Sequence, residues 1–181
     1  MQQVAALYVR PDSVYQQMPG VICWDRQMDA RHYPGPHPVV AHPPCARWGR
    51  YAKVGGREIG HDQGCGAAAV AAVRRWGGVL EHPKDSRLWA WMLMPKPSEG
   101  RDCWGGRTVL INQIDYGHRA IKPTWIYIVG EPNLGLSPLG QRETAAVGIE
   151  RLSKKTREMT PYPLATQLVE LARKAARRRA S

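Results

Sequence analysis

Residues 38–49 read "PVVAHPPCARWG" and place a short apolar segment directly before a rigid loop. Residues 39–41 are apolar throughout, which is typical of a strand buried on both faces of a parallel sheet. Pro43 and Pro44 each fix a backbone φ angle and remove a backbone donor, so the loop holds Cys45 in a defined position. A rigidly held thiol suits a nucleophile, and a buried structural cysteine after a strand is the simpler alternative.

Outward from this stretch, short apolar segments alternate with helical ones along the whole chain. Strands are predicted at residues 4–9, 20–24, 39–41, 79–81, 108–114 and 124–129. Helices are predicted at residues 61–76, 84–93 and 163–181, the last being a basic C-terminal helix. This alternation predicts a single α/β domain over residues 1–181, a three-layer Rossmann-like fold with a mostly parallel sheet.

The composition is strongly basic, with 26 Lys and Arg against 15 Asp and Glu and a net charge of +11. Such a surplus favours polyanions, so DNA is the first candidate partner, although codon usage in a GC-rich genome explains part of the excess. No apolar run approaches the length of a membrane span, and the N-terminus lacks the pattern of a signal peptide. We therefore expect a cytoplasmic protein without a membrane partner.

Reactive side chains are predicted at the carboxyl-terminal edge of the sheet, where ligands bind in folds of this class. Asp25, Cys45 and Glu81 each come at the end of a predicted strand. Arg47 and Arg50 are expected to lower the pKa of the Cys45 thiol. Glu81 is well placed for acid–base work, the alternative being a charge that marks the start of the next helix. All four cysteines of the chain are predicted to be free thiols, because none forms a C-x-x-C pair.

The glycine- and arginine-rich loop at residues 46–60 is predicted to fold over DNA. Its cations would hold phosphates, and its aromatic rings would stack on a base or fill the gap that a base leaves. The alternative is an ordinary loop whose aromatic side chains pack on the protein. The predicted DNA-binding residues are Arg47, Trp48, Arg50, Tyr51 and Arg57.

Three segments, in this order, resemble motifs of the cytosine-C5 DNA methyltransferases, most closely the short divergent members found in phages and prophages. They are "HPPC" at 42–45, "LEHP" at 80–83 and "QIDYGHRAIKPTW" at 113–125. The resemblance implies that Cys45 attacks C6 of a flipped-out cytosine and that Glu81 binds the base at N3. It places His82 where the family has asparagine, and it assigns Arg119 and Lys122 to contacts with the base and the DNA backbone.

The same resemblance implies S-adenosylmethionine as the cofactor. The family binds it at a glycine-rich turn after the first strand, whereas the corresponding stretch here, "LYVRPDSVY", has no glycine. The cofactor-binding half is short, and the residues that the resemblance assigns to it are Asp12, Asp25 and Asp29. A chain of 181 residues has no room for a large target-recognition domain, so sequence selectivity should be low or come from a partner.

Two other readings of the sequence stay open beside a methyltransferase-like transferase. The first is a phage factor with a degenerate fold of this family, which binds DNA or a host protein without catalysis. The second is a metal-dependent protein. His42 and Cys45 have H-x-x-C spacing, and further ligands could come from His61, His82, Cys103 and His118.

Overall fold

A computed structural model describes residues 1–49, 52, 58–130, 136–137 and 147–177 of the chain. These residues form an α/β fold in which helices pack on a six-stranded, mostly parallel sheet. The strands are β1 (Val4–Leu7), β2 (Val21–Trp24), β3 (Val39–Ala41), β4 (Gly78–Pro83), β5 (Arg107–Asn112) and β6 (Pro123–Val129). The α-helices are α1 (Cys65–Trp76), α2 (Leu88–Trp91), α3 (Lys154–Glu158) and α4 (Tyr162–Arg177).

The order of the strands across the sheet is β2-β1-β3-β4-β6-β5. The first four in this order are parallel, β6 runs antiparallel to β4, and β5 runs antiparallel to β6. The chain passes from β1 outward to β2 and then returns to the other side of β1 as β3. Such a switch point leaves a crevice at the carboxyl ends of the parallel strands. Because Pro83 pairs with Thr124, the turn between β5 and β6 reaches this same edge.

Alternate residues of the strands point to opposite sides of the sheet, and both sides are buried. On one side, Val40 and Val79 belong to an apolar cluster that includes Leu168 of α4. On the other side, Leu80 belongs to a second cluster that includes Val70 of α1. The strands are therefore apolar at consecutive positions, as the sequence predicted for β3.

The close packing of β4 on β3 requires glycine at its first position. Gly78 has φ +115, and a Cβ atom built there would lie 2.0 Å from the carbonyl oxygen of Val39. The Gly77-Gly78 pair thus ends α1, as predicted, and also lets the chain enter the sheet beside β3.

The structure shortens two of the predicted helices. The helix predicted at 61–76 begins only at Cys65, because Gly64 before it has a left-handed backbone with φ +80. The helix predicted at 84–93 is reduced to α2, since Asp85 and Leu93 on either side have φ +60 and φ +51. The predicted C-terminal helix corresponds to α4 up to Arg177, and residues 178–181 lie outside the described part.

Two general predictions can be compared with the described residues. The four cysteines are free thiols, which confirms that prediction. Among the helices in the described ranges, none combines the length and apolar character that crossing a membrane requires.

Candidate active site

Cys45 lies in a tight turn that begins as a continuation of β3. The backbone N–H of His42 donates to the carbonyl oxygen of Leu7 at 3.1 Å, so the strand pairing extends up to the prolines. After them, the carbonyl oxygen of Cys45 accepts hydrogen bonds from the backbone N–H groups of Trp48 and Gly49, each at 3.0 Å. Cys45 itself is exposed. The turn therefore presents the thiol at the carboxyl edge of the sheet.

Trp48 anchors this turn from inside the protein. Its side chain is only 2% exposed, and its Nε1–H donates to Oδ2 of Asp62 at 2.7 Å. Asp62 also accepts from the backbone N–H of Gly66 in the first turn of α1 at 2.6 Å. A Cβ atom at Gly66 would lie within 3.1 Å of both Trp48 and Asp62, so glycine is needed for this contact. The turn that carries Cys45 is thus fastened to α1.

The buried position of Trp48 favours one of the two readings of this loop. A ring enclosed in the core packs on protein, which was the alternative to the predicted stacking on a base. Arg47 is half-buried in the same turn. Three other residues predicted to bind DNA, Arg50, Tyr51 and Arg57, lie outside the described residues.

Glu81 lies within β4, which continues to Pro83, so the prediction that Glu81 marks the end of this strand is wrong. Its Oε2 lies 3.1 Å from Nδ1 of His42, which comes from the loop after β3. Its Oε1 accepts a hydrogen bond of 2.8 Å from Nε2 of Gln113, which comes from the turn between β5 and β6. Gln113 is fully buried, and its Nε2 also donates to Oγ1 of Thr124 at 3.1 Å. Glu81 therefore connects three segments that are distant in sequence.

Tyr15 extends this network behind His42. Its hydroxyl lies 2.8 Å from Nε2 of His42, and it belongs to a short 3-10 helix, Val14–Gln17, that follows β1. Burial raises the pKa of Tyr15 well above its ordinary value, and the negative charge of Glu81 raises it further. The phenol therefore keeps its proton. We call Tyr15, His42, Glu81 and Gln113 the buried polar chain.

Sequence reasoning missed most of the buried polar chain. Tyr15 and Gln113 were not candidates, and His42 was considered only as a metal ligand. The position of His42 directly before Pro-Pro-Cys is the one local signal that could have pointed to it. Nothing in the sequence around Tyr15 indicates its contact with His42, because that contact depends on the adjacency of β1 and β3.

Glu81 is ionised in this environment. Burial by itself would raise its pKa, but the positive charge of Lys122 and the hydrogen bond from His42 outweigh that effect and lower the pKa to about 2. An ionised carboxylate only accepts hydrogen bonds, so Nδ1 of His42 carries a proton and donates it to Oε2. Lys122, which the resemblance assigns to contacts with the base and the DNA backbone, lies half-exposed in the turn between β5 and β6.

The pKa of the Cys45 thiol is raised. The surrounding protein disfavours the thiolate, the negative charge of Glu81 adds to this effect, and the positive charge of Lys122 opposes it. The lowered pKa that we expected from Arg47 and Arg50 is therefore wrong in direction. The positive charge of Lys122 acts on both Glu81 and Cys45, and the charge of Glu81 acts on Cys45 directly.

His82 is buried next to the backbone of Pro43 and Pro44, in the turn that carries Cys45. It is 1% exposed, and its Nδ1 lies 2.7 Å from Oγ of Ser86. Its Nε2 is buried without a partner at hydrogen-bond geometry, yet the carbonyl groups of Pro43 and Pro44 lie near enough to affect its charge. Burial lowers the pKa of His82 to about 4, so the ring is neutral near pH 7. This histidine stands where the resembling family has asparagine.

The turn between β5 and β6 also contacts the basic helix α3. Arg119 is exposed in this turn, and its carbonyl oxygen accepts from the backbone N–H of Val147 at 3.3 Å. Nε2 of His118 lies 3.2 Å from the carbonyl oxygen of Thr156 in α3. The charge of Glu158, also in α3, raises the pKa of Cys45. Helix α3 therefore lies at the edge of the sheet that holds the candidate site.

The three carboxylates predicted to bind a cofactor already have protein partners. Asp12 accepts from Arg10 at 2.9 Å and lies 2.7 Å from Nζ of Lys155, and the hydrogen bond from Arg10 holds its pKa far below the ordinary range. Asp29 accepts from Arg31 at 2.6 Å, which lowers its pKa in the same way. Asp25 accepts from the backbone N–H groups two and three residues further on, at 2.8 and 3.2 Å.

The turn after β1 does not form the glycine-rich cradle that the resemblance implies. Tyr8 occupies it with φ +61, in the left-handed region that favours glycine. Its ring packs in the same apolar cluster as Trp24 and Tyr33, and its hydroxyl is buried without a hydrogen-bond partner. This turn and the three carboxylates, which already bind protein groups, do not fit S-adenosylmethionine in the position that the resemblance implies.

In comparisons with known proteins, no family model matches the chain, and no curated protein sequence matches it. The structure gives no support to the alternative of a metal-dependent protein. In the described part of the chain, no group of three or more His, Cys, Asp or Glu side chains is arranged to hold a metal ion. The function is therefore argued from the site itself.

Proposed function

We propose that the protein modifies pyrimidine bases in DNA by covalent addition of Cys45 to C6 of a flipped-out cytosine. One observation carries the proposal: the loop that presents Cys45 contacts Glu81 through His42 at 3.1 Å, at the edge of the sheet where the turn with Lys122 also lies. A nucleophile, a carboxylate for N3 and a cation come from three separate segments. These are the side chains that the resemblance to cytosine-C5 methyltransferases selects.

The chemistry begins at the thiol. Cys45 loses its proton to solvent, and the thiolate forms a bond from Sγ to C6 while Glu81 engages N3 of the base. The electron pair of the C5–C6 double bond moves to C4–C5, the C4–N3 pair moves onto N3, and the resulting enamine is nucleophilic at C5. The resemblance implies S-adenosylmethionine as the methyl donor at that point. Because the turn after β1 does not fit this cofactor as placed, the proposal ends at the activated C5 atom.

The arrangement of the layers supports the proposal at the level of fold. Helix α4 packs in one apolar cluster and α1 in the other, which is what a three-layer Rossmann-like domain requires. The switch point between β1 and β3 opens on the turn of Cys45 and on the 3-10 helix of Tyr15. A base held at this crevice would meet both the thiol and the carboxylate.

Charge at the same edge supports DNA as the partner. Cations there would hold the phosphates on both sides of the extruded nucleotide without reading sequence. Those on the turns after β1 and β5 and on or beside α3 are Arg10, Arg119, Lys122, Arg151, Lys154, Lys155 and Arg157. Carboxylates neutralise part of this charge, since Arg10 and Lys155 pair with Asp12.

The test uses a single-stranded oligonucleotide that contains 2-pyrimidinone in place of cytosine. This base lacks the 4-amino group, so its C6 is more electrophilic, and an adduct can form without a methyl donor. A single strand also removes most of the cost of extruding the base. Intact-mass spectrometry should show one oligonucleotide bound to the wild-type protein. A second assay follows the release of tritium from C5 of [5-³H]cytosine DNA: the nucleophilic C5 of the adduct takes a proton from water and loses its tritium to water before the Sγ–C6 bond breaks, so no methyl donor is needed.

Cys45→Ser should abolish the adduct and the tritium release with little change in stability, because Cys45 is exposed. Cys103 is the matched control, since it is also an exposed free thiol but lies outside the candidate site. Cys103→Ser should react as the wild type does. Failure of the wild type to form an adduct while DNA is bound would refute the proposal, as would an adduct that persists in Cys45→Ser.

A second candidate function is binding to DNA without catalysis. The raised pKa of Cys45 favours it, because a resting thiol that stays protonated is a weak nucleophile. The engaged carboxylates of Asp12, Asp25 and Asp29 favour it too. DNA binding that weakens steeply with salt between about 50 and 200 mM, without adduct formation or tritium release, would identify this function.

A further inference from the structure

Addition of Cys45 to cytosine requires a proton at N3 that Glu81, when ionised, does not carry. N3 of cytosine is a hydrogen-bond acceptor, and it must gain a proton as the thiolate adds to C6. Glu81 has a pKa of about 2, so near neutral pH it carries no proton to give. Two acceptors would then face one another across the site. The proton must come from a group that is in contact with Glu81.

His42 is in direct contact with both Glu81 and Tyr15. Its Nδ1 lies 3.1 Å from Oε2 of Glu81, and its Nε2 lies 2.8 Å from the hydroxyl of Tyr15. Gln113, the other partner of Glu81, is an amide and has no proton to transfer. Histidine is the side chain that changes charge between about pH 5 and 8. His42 is therefore placed to exchange a proton with Glu81.

The charged and titratable groups around this pair come from every neighbouring segment. Lys122, from the turn between β5 and β6, favours the ionised form of Glu81, and so does His82 when it is protonated. The thiolate form of Cys23, in β2, would raise the pKa of Tyr15. Cys45 lies in the turn after β3, and the negative charge of Glu81 raises its pKa. Of all these groups, only His42 and Tyr15 lie in a continuous line of hydrogen bonds that ends at the carboxylate.

We propose that His42 stores the proton that Glu81 delivers to N3 of the base, with Tyr15 holding the imidazole in place. This inference rests on the proposed function. Protonated His42 passes its Nδ1 proton to Oε2 of Glu81, and Glu81 passes a proton to N3. At the same time the Sγ–C6 bond forms, the C5–C6 π pair moves to C4–C5, and the C4–N3 π pair accepts the proton. The charges of thiolate and imidazolium are both neutralised.

The reverse steps restore the starting state. When the Sγ–C6 bond breaks, N3 returns its proton through Glu81 to His42. Tyr15 takes no net part in the transfer, because burial keeps its phenol neutral. Its hydroxyl donates to Nε2 of neutral His42 and accepts from Nε2–H of protonated His42. His42 acts through Glu81 and is therefore a positioning residue with a stored proton.

The decisive variant is His42→Asn. The asparagine amide nitrogen takes the place of Nδ1 and keeps a donor for Glu81, but it cannot store a proton. The readout is the rate of tritium release from [5-³H]cytosine DNA between about pH 5 and 9. We expect His42→Asn to be about 10²- to 10⁴-fold slower, as for loss of general acid–base catalysis. We also expect it to lose the inflection that a titrating imidazole introduces into the wild-type profile.

Two further variants and one spectrum complete the test. Tyr15→Phe should slow release by about tenfold, the scale of one lost hydrogen bond, and keep the inflection. His61→Asn changes an exposed histidine and should match the wild type. In ¹H NMR, the Nδ1 proton of His42 should appear as a downfield signal that exchanges slowly with water and disappears in both His42→Asn and Glu81→Gln. This signal does not depend on activity, so it remains informative if a variant is inactive.

The outcomes separate the two proposals. If the wild type forms no adduct and releases no tritium, the proposed function fails and the role of His42 fails with it. If the wild type is active and the profile of His42→Asn superimposes on it, the stored proton alone is refuted. Absence of the downfield signal in the folded wild type would also overturn it. A slow His42→Asn without the inflection supports both proposals.

Discussion

Glu81 and Asp25 both lie at the carboxyl edge of the parallel strands, yet they are held in different ways. Glu81 is 8% exposed and takes its partners from segments 39 and 32 residues away. Asp25 is half-exposed and accepts from backbone groups two and three residues further on. A local turn of that kind forms wherever an aspartate begins a loop. A carboxylate held by three segments occurs only where the fold assembles it.

Because of this difference, the candidate active site lies in the β3–β4 half of the edge. Its polar groups are buried, connected and costly to leave unpaired, so each one constrains its neighbours. The β1–β2 half carries acids that are satisfied by nearby arginines, a lysine or the backbone. Those contacts would be present with or without a cofactor.

The largest expected effect comes from removing each carboxylate in turn. Glu81→Ala removes the buried acceptor of His42 Nδ1 and Gln113 Nε2 and the negative charge that Lys122 acts on, and we expect a loss of about 3–5 kcal/mol in the free energy of unfolding. Asp25→Ala removes local hydrogen bonds only, and we expect a loss of about 1 kcal/mol. Urea denaturation at pH 7 measures both, and Glu81→Gln, which keeps the volume, should fall between them. Equal losses for Glu81→Ala and Asp25→Ala would contradict the comparison.

The second effect is a dependence of stability on pH that arises in the β3–β4 half. His82 has a pKa of about 4 in the folded protein and 6.5 when exposed, so the unfolded chain binds its proton first as the pH falls. Stability from this group is complete above about pH 6.5 and declines down to about pH 4, by about 3 kcal/mol in total. Glu81 adds a further loss only between about pH 4.5 and its folded pKa of about 2.

The check is urea denaturation of the wild type and of His82→Asn at pH 7 and pH 4.5. Burial also lowers the pKa of His118, which contributes in the same direction, so the informative quantity is the difference between the two proteins. His82→Asn should lose less stability on acidification than the wild type does. Parallel losses in the two proteins would show that His82 is not the buried neutral group described here.

The third effect concerns the support of the Cys45 turn. Trp48→Phe keeps most of the ring volume but removes the Nε1–H that Asp62 accepts, and we expect a loss of about 1–3 kcal/mol in the free energy of unfolding. The turn should also loosen, so Cys45 should react several-fold faster with a thiol reagent. The reaction is followed in a Cys103→Ser background, which removes the other exposed thiol. An unchanged rate would mean that the prolines alone hold the turn.

The smallest effect is a change in the salt dependence of DNA binding. Arg119 is exposed beside the candidate site, so Arg119→Gln should reduce the slope of log K against log salt by about one unit and leave stability unchanged. Arg75 is the matched control, because it is exposed at the end of α1, away from the carboxyl edge of the strands. Arg75→Gln should keep the wild-type slope. Equal changes for both would indicate binding over the whole surface.

Local sequence patterns were sufficient for much of the fold. Apolar segments such as residues 39–41 predicted buried strands, and the Gly77-Gly78 pair marked the end of α1, because both signals depend on neighbouring residues alone. The double proline likewise predicted that Cys45 is held by a stiff loop. The lengths of the helices were less predictable. Left-handed residues such as Asp85 shortened them, and a left-handed non-glycine residue has no strong local signal.

What the chain determines by itself is therefore which segments are strands and helices, but not the residue at which each one ends. The buried polar chain was decided by tertiary structure, since its contacts join residues 27, 39 and 32 positions apart. Those contacts require β1, β3, β4 and β6 to be neighbours in that order, with β6 antiparallel. Burial then raises or lowers each pKa by removing water and bringing other charges close. Both effects depend on the packed fold, so no local pattern of residues encodes them.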